Sequence, residues 1–204
     1  MRTEILDLMG VRRGHFLLES GHHGDLWLDL DALFENPTAL RPFVHDLARS
    51  LDVNRLDGVC GPLTGGAFVA QMLALELGVK FWFTERTQPP REGTLYSARY
   101  ALAAGQRVAG ARVAVVDDVI NAGSAVTSTL SALRSAGAMP AALGALLVLG
   151  QAAEALASKH SVPLHSTARL DNALWPPAAC PRCAAGVPLD TTSTMGGPAP
   201  PSSG

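Results

Sequence analysis

Residues 113–125 read VAVVDDVINAGSA, and this stretch constrains the fold more than any other part of the chain. The apolar run 113–116 suits a strand buried on both faces rather than one that alternates between core and water. Two adjacent carboxylates, Asp117 and Asp118, sit at its end, and a loop of small residues, Asn121, Ala122, Gly123, Ser124 and Ala125, then opens a helix. A strand, loop and helix of this kind belong in a parallel sheet covered by helices. In such sheets ligands bind beyond the carboxyl ends of the strands. The order also sets acidic side chains beside backbone N–H groups and the positive end of a helix dipole. Carboxylates suit sugar hydroxyls and a helix start suits a phosphate monoester, so a sugar phosphate answers to both. Negative charge so placed favours an oxocarbenium-like transition state, hence displacement at a sugar's anomeric carbon. Solvated acids at a strand end would explain Asp117-Asp118 alone, but not the whole arrangement.

The rest of the chain continues the alternation. A helix is expected over residues 3–8, with extended segments around 15–18 and 26–30. Asn36-Pro37 announces a helix, Asn as N-cap and Pro at the first helical position. Leu40, Val44, Leu47 and Leu51 then recur at helical spacing. A strand over 58–60 leads into Gly61-Pro62-Leu63-Thr64-Gly65-Gly66, whose glycines allow close backbone approach to an anion or simply a tight turn. An apolar helix ending at Gly78 and a strand over 79–83 come next. Residues 86–105 are polar, with two prolines and Gly93, and read as a mobile loop or hairpin. A helix from Ser124 stops at Gly137, followed by a strand over 142–149, a helix over 152–159 and a strand over 163–168. The prediction is an α/β fold in one domain over residues 1–190. From 191 to 204 a small, polar, Pro/Gly-rich tail predicts disorder.

Sixteen basic and eighteen acidic residues give a formal net charge of −2 without any basic run, so nucleic-acid binding is not indicated. The opening MRTEILDLMG lacks the apolar core of a signal peptide and no apolar run approaches a membrane span, which predicts a cytoplasmic protein. Three cysteines are too few for a secreted disulfide framework. Cys60 reads as a small core residue at a strand end. Cys180-Pro-Arg-Cys183 offers two zinc ligands where a tetrahedral site needs about four, the others having to come from a second subunit or from histidines. The preferred reading is a tight turn packing the C-terminus. His22-His23 reads either as a substrate contact or as a solvated loop pair.

The 113–125 stretch resembles the 5-phosphoribosyl-1-diphosphate (PRPP) signature of type I phosphoribosyltransferases: an apolar strand, two acids, two spacers and a phosphate loop. The resemblance implies that Asp117 and Asp118 contact the ribose hydroxyls. It gives the 5-phosphate to Asn121, Ala122, Gly123, Ser124 and Ala125, with Asn121 replacing the usual threonine but still able to donate a hydrogen bond. Residues 61–66 resemble the diphosphate loop of that family, where a strained peptide bond is common, which assigns Pro62, Leu63, Thr64 and Gly65 to PRPP. Residues 14–30, GHFLLESGHHGDLWLDL, resemble the opening of the orotate branch, where Phe16, Leu18, Ser20 and Gly21 would start a hood over the base. The end LWPPAACPRCAAGVPL resembles a tail of that branch, so the likeness runs to about Asp190. Residues 81–95 resemble the strand entering a flexible catalytic loop, with Glu85-Arg86 in place, and Phe81, Trp82 and Phe83 read as strand packing.

By this resemblance the fold is a central, mainly parallel sheet flanked by helices, with residues 1–35 contributing to a small N-terminal hood. The implied reaction moves the phosphoribosyl group from PRPP to a pyrimidine, orotate first, giving orotidine 5′-phosphate and diphosphate. Asp117, Asp118, Arg86 and Arg91 would be catalytic, Arg86 also binding PRPP, and Phe16, Ser20 and Gln151 would contact the base. Mg²⁺ would be carried mainly by PRPP oxygens and water rather than by a protein ligand set. The implied partners are these small molecules and a second copy in a homodimer. The departures share a direction. Neither lysine, Lys80 or Lys159, lies in either loop, so Arg86 and Arg91 are the only cations of residues 84–95, with a fork that places donors differently. Gly150-Gln151 stands where the family commonly has Asp-Arg, and Glu19 adds negative charge close to an anionic substrate. Transfer to another nucleobase, or PRPP binding without turnover by a regulator, are the alternatives this leaves.

Overall fold

The computed structural model describes residues 2–18, 21–51, 55–88 and 99–191. The chain begins α1 (Arg2–Leu8), β1 (Arg12–Leu17), β2 (His23–Trp27), α2 (Leu30–Leu33) and α3 (Pro37–Ser50). It continues β3 (Gly58–Pro62), α4 (Gly65–Leu77), β4 (Lys80–Gln88), β5 (Arg99–Leu102), β6 (Arg112–Ile120) and α5 (Ser124–Ser135). It closes with β7 (Met139–Leu149), α6 (Ala152–His160), β8 (Leu164–Leu170), β9 (Leu174–Trp175) and a short α7 (Pro181–Ala184). Six strands make one sheet in the order β5-β4-β3-β6-β7-β8, parallel except for the β4–β5 hairpin. A second, antiparallel sheet, β1-β2-β9, joins the N-terminal strands to a C-terminal one.

The unbroken apolar run of β6 has a simple cause. Val113 and Val115 enter a core with Val126, Leu130 and Leu133 of α5 and Leu156 of α6. Ala114 and Val116 enter the opposite core with Val44 and Leu47 of α3 and Val69 and Leu73 of α4. All four β6 residues are fully buried, each valine contributing on the order of 1.5–3 kcal/mol. At α3 the expected start holds: Asn36 Oδ1 accepts the Ala39 N–H at 3.2 Å and Pro37 is the first helical residue. Leu40, Val44, Leu47 and Leu51 are all buried.

Several strands outrun their expected ends. β6 does not stop at Val116 but carries both acids, because its ladder with β7 continues through Asp117–Ala145 to Ile120–Val148. Near residue 30 the chain is helical rather than extended, since Asp29 caps α2 by accepting the Ala32 N–H at 3.3 Å. The 86–105 region forms a hairpin where it is described. Residues 89–98, within the expected mobile loop or hairpin, and 192–204, predicted disordered, lie outside the described residues. Among the described residues no helix is long and apolar enough to cross a membrane.

Candidate active site

The site begins with a mismatch in strand length. β3 pairs with β6 only as far as Cys60–Val115, whereas β7 accompanies β6 to Ile120. From Asp117 onward no described strand pairs with β6 on the β3 side, and the chain leaving β3 turns there into α4. The resulting cleft, about 480 Å³, is lined by residues 62–66, Arg86, Tyr100, Asp117, Asp118 and Ala125. The Leu63 N–H donates to the Thr84 carbonyl at 2.8 Å, tying the turn to β4, and the Leu63–Thr64 peptide bond is cis.

Both acids are buried, at 8% and 9% exposure. The Asp118 N–H donates to Asp117 Oδ1 at 3.1 Å and the Val119 N–H to Asp118 Oδ1 at 2.9 Å. Burial pushes the Asp117 carboxyl well above the usual carboxylate range, and the like charge of Asp118 adds to it. Burial also raises Asp118, against hydrogen bonds with Asp117 and the Val119 N–H that pull it back. Such a pair favours hydroxyl donors or a cation beside it. Close approach of α4 depends on two glycines. A Cβ on Gly65 would overlap Asp118 Oδ2, and one on Gly66 would lie 2.5 Å from Asp117 Oδ1. The first turns of α4 and α5 both open on the cleft, through Gly65, Gly66 and Ala125, and first-turn N–H groups, which have no partner within their own helix, suit phosphate oxygens.

Residues 32–172 match the phosphoribosyl transferase domain family. The chain belongs to the type I phosphoribosyltransferases. This phosphoribosyltransferase is 31% identical over 181 residues to the orotate phosphoribosyltransferase of Caldanaerobacter subterraneus subsp. tengcongensis, covering 88% of each chain. It is 29% identical over 199 residues to that of Thermotoga maritima, covering 96% of this chain and 99% of the relative. The crystal structure of orotate phosphoribosyltransferase from Aeropyrum pernix superposes with a TM-score of 0.65 at 29% identity, over 83% of this chain and 94% of that one. An adenine phosphoribosyltransferase from Trypanosoma brucei, 17% identical with a TM-score of 0.63 over 82% and 79% of the two chains, shares the fold. Membership makes the protein a pentosyltransferase.

The cleft of this phosphoribosyltransferase gathers Pro62, Leu63, Thr64, Gly65, Arg86, Asp117, Asp118 and Ala125 from the expected set. Asn121, Ala122 and Ser124 stand half-buried just beyond it, and Asn121 Oδ1 accepts from Asn172 Nδ2 at 3.3 Å. Gly123 caps α5 at φ 73°, its carbonyl accepting from the Thr127 hydroxyl at 2.7 Å. The expected base contacts are not in the cleft lining. Phe16 is buried, its ring 6.2 Å from that of Trp27 and 5.5 Å from the Arg12 guanidinium carbon. Gln151 is exposed at the N-terminus of α6, just past the end of β7. Ser20, Glu19 and Arg91 lie outside the described residues. Tyr100 is the residue that sequence reasoning missed. It pairs across the hairpin with Arg86, whose guanidinium carbon lies 5.8 Å from its ring centroid. Reading 86–105 firmly as a hairpin would have brought the two together.

Other expectations resolve here. Trp82 is buried and Phe81 stacks on Phe83 at 5.8 Å, so the trio is strand packing. Cys60 is fully buried and burial pushes its thiol up to about 12, leaving an unreactive core residue. His23 is neither a solvated loop residue nor in the cleft lining: it is buried at the start of β2, its ring edge-on to His15 at 5.0 Å.

Proposed function

We propose that this phosphoribosyltransferase transfers the 5-phosphoribosyl group of PRPP to orotate, releasing diphosphate and orotidine 5′-phosphate. The observation that carries the reading is the buried Asp117-Asp118 pair sharing one cleft with two helix N-termini. The acids take the ribose hydroxyls, and Asn121, Ala122, Gly123, Ser124 and Ala125 take the 5-phosphate through N–H groups of the loop and of the first turn of α5. Pro62, Leu63, Thr64 and Gly65 cradle the diphosphate. The base ring nitrogen, its N–H proton given up to solvent, bonds to C1′ as the C1′–O bond to diphosphate breaks. Positive charge grows on the ribose ring in that step, and the adjacent carboxylates stabilise it. Arg86, with Arg91, meets the charge gathering on the departing diphosphate.

Two adjacent carboxylates beside a phosphate cradle are the hard oxygen surroundings that suit Mg²⁺. Carried mainly by PRPP oxygens and water beside Asp117 and Asp118, Mg²⁺ would neutralise charge on the diphosphate. Orotate as acceptor is supported by the likeness to orotate phosphoribosyltransferases over nearly the whole chain. Phe16 and Ser20 form the hood side of the base site in this reading, and Gln151 offers its amide to a pyrimidine carbonyl or N–H. The working unit is a homodimer, which light scattering on the eluting protein checks. One observation favours a second reading: the exposed group past β7 is an uncharged glutamine, which suits a base without a carboxylate. Diphosphate release measured with PRPP, Mg²⁺ and a panel of nucleobases separates the two. Turnover with orotate supports the first and turnover only with another base the second.

A further inference from the structure

Far apart in sequence, four side chains meet in the small sheet. His15 comes from β1, His23 from β2, and Cys180 and Cys183 from the turn that opens α7. Their ligating atoms all lie within 4.8 Å of one another, and three of the four residues are buried. The separations are those of a coordination sphere. His15 Nε2 is 3.1 Å from His23 Nδ1 and 3.3 Å from Cys180 Sγ, while Cys183 Sγ is 3.3 Å from His23 Nδ1 and 3.8 Å from His15 Nε2. A tetrahedron with Zn–N of about 2.0–2.1 Å and Zn–S of about 2.3 Å has N···N edges of about 3.3 Å and N···S edges of about 3.5 Å.

Hydrogen bonding alone accounts poorly for this cluster. His15 Nδ1 lies 2.9 Å from the Val187 carbonyl, which only accepts, so this nitrogen carries the proton. In the neutral ring Nε2 is then left with one lone pair, and His23 and both thiols converge on it. The same carbonyl contact is the outer partner that orients a metal-bound histidine. We propose that His15, His23, Cys180 and Cys183 form a structural zinc site. Two thiols lose their protons to solvent as the cation binds, so two thiolates and two neutral imidazoles leave a site without net charge, suited to burial. Thiolate and imidazole select zinc over the Mg²⁺ of the transfer site.

The topology shows what such an ion does. β9 pairs with β2 on one side of the sheet, while Asp190 bonds to β1 on the other, its N–H donating to the His15 carbonyl at 2.7 Å. The chain between them carries the cysteines. Zinc fastens that crossing segment to a sheet whose strands have only six, five and two residues. The expected turn at Cys180-Cys183 is present, and histidines of the same chain complete its ligand set.

The test is metal content of the full, untagged chain, independent of transfer activity. Elemental analysis is expected to find about one zinc per chain, lost together with the Cys180→Ser/Cys183→Ser pair of substitutions. Because that variant could misfold, cobalt exchange into the unmodified protein is the second measurement. It is expected to give the thiolate-to-cobalt absorption of a tetrahedral site, with both thiols protected from alkylation until a chelator is added. Protein without zinc that takes up no cobalt, an intact mass showing a Cys180–Cys183 disulfide, or zinc retained by the double serine variant would each overturn the proposal.

Discussion

Asp117 illustrates how a ligand site works against stability. Its folded carboxyl is raised above the unfolded value of about 3.9, by burial first and by Asp118 second. A raised folded pKa adds stability below the unfolded value and loses it as pH rises through the folded one. Asp117→Asn is therefore expected to raise the Tm of the free protein at neutral pH, with the gain shrinking toward about pH 4. Thermal unfolding across that range checks it, and a gain that does not depend on pH would speak against a charge origin. Beside it, Gly65→Ala places a methyl group on Asp118 Oδ2. PRPP affinity is expected to fall by about tenfold or more, ~1.4 kcal/mol, as read by calorimetric titration, with the CD spectrum unchanged. At this scale the acids and the glycines were legible, because a carboxylate pair and a side-chain-free turn have few uses together. Tyr100 was not, since nothing local marks a tyrosine as facing a site across a hairpin.

Elements meet at the cleft through a few specific bonds. Thr84 of β4 and Thr129 of α5 share a fully buried hydrogen bond of 2.8 Å, which holds the hairpin strand against the helix that opens on the cleft. Thr129→Val leaves the Thr84 hydroxyl without that bond and is expected to cost about 1–3 kcal/mol, whereas Thr84→Val/Thr129→Val costs less than the sum of the singles. Denaturant unfolding of the three variants measures this. Arg86 is held on the hairpin by Tyr100 at the cleft wall. Its loss to alanine is expected to remove about 1.5–3 kcal/mol from the transition state, roughly ten- to hundredfold in kcat, with partial recovery in Arg86→Lys. Strand ends resisted sequence reading for a physical reason. Apolar pattern locates the buried middle of a strand, but its last residues follow the neighbour's length, as β7 shows by carrying β6 to Ile120.

The molecule as a whole divides its labour between two sheets. The large one brings the acid pair and both helix starts to its carboxyl edge. The small one ties the N-terminal strands to the C-terminal segment through the His15–Cys180 cluster. The centre of the large sheet was legible because β6 and β7 are buried on both faces and read as apolar runs between helices. In the small sheet a two-residue strand and a turn of short elements leave no periodicity to read, and the four ligands only converge once the chain ends have met. The central claim concerns chemistry at Asp117 and Asp118. Diphosphate release from PRPP in the presence of Mg²⁺ and orotate tests it most directly. Turnover is expected, and it is expected to vanish in Asp117→Asn/Asp118→Asn while the CD spectrum and elution volume stay the same. Saturable PRPP binding with no diphosphate from any nucleobase, or full activity in the double variant, would contradict the account.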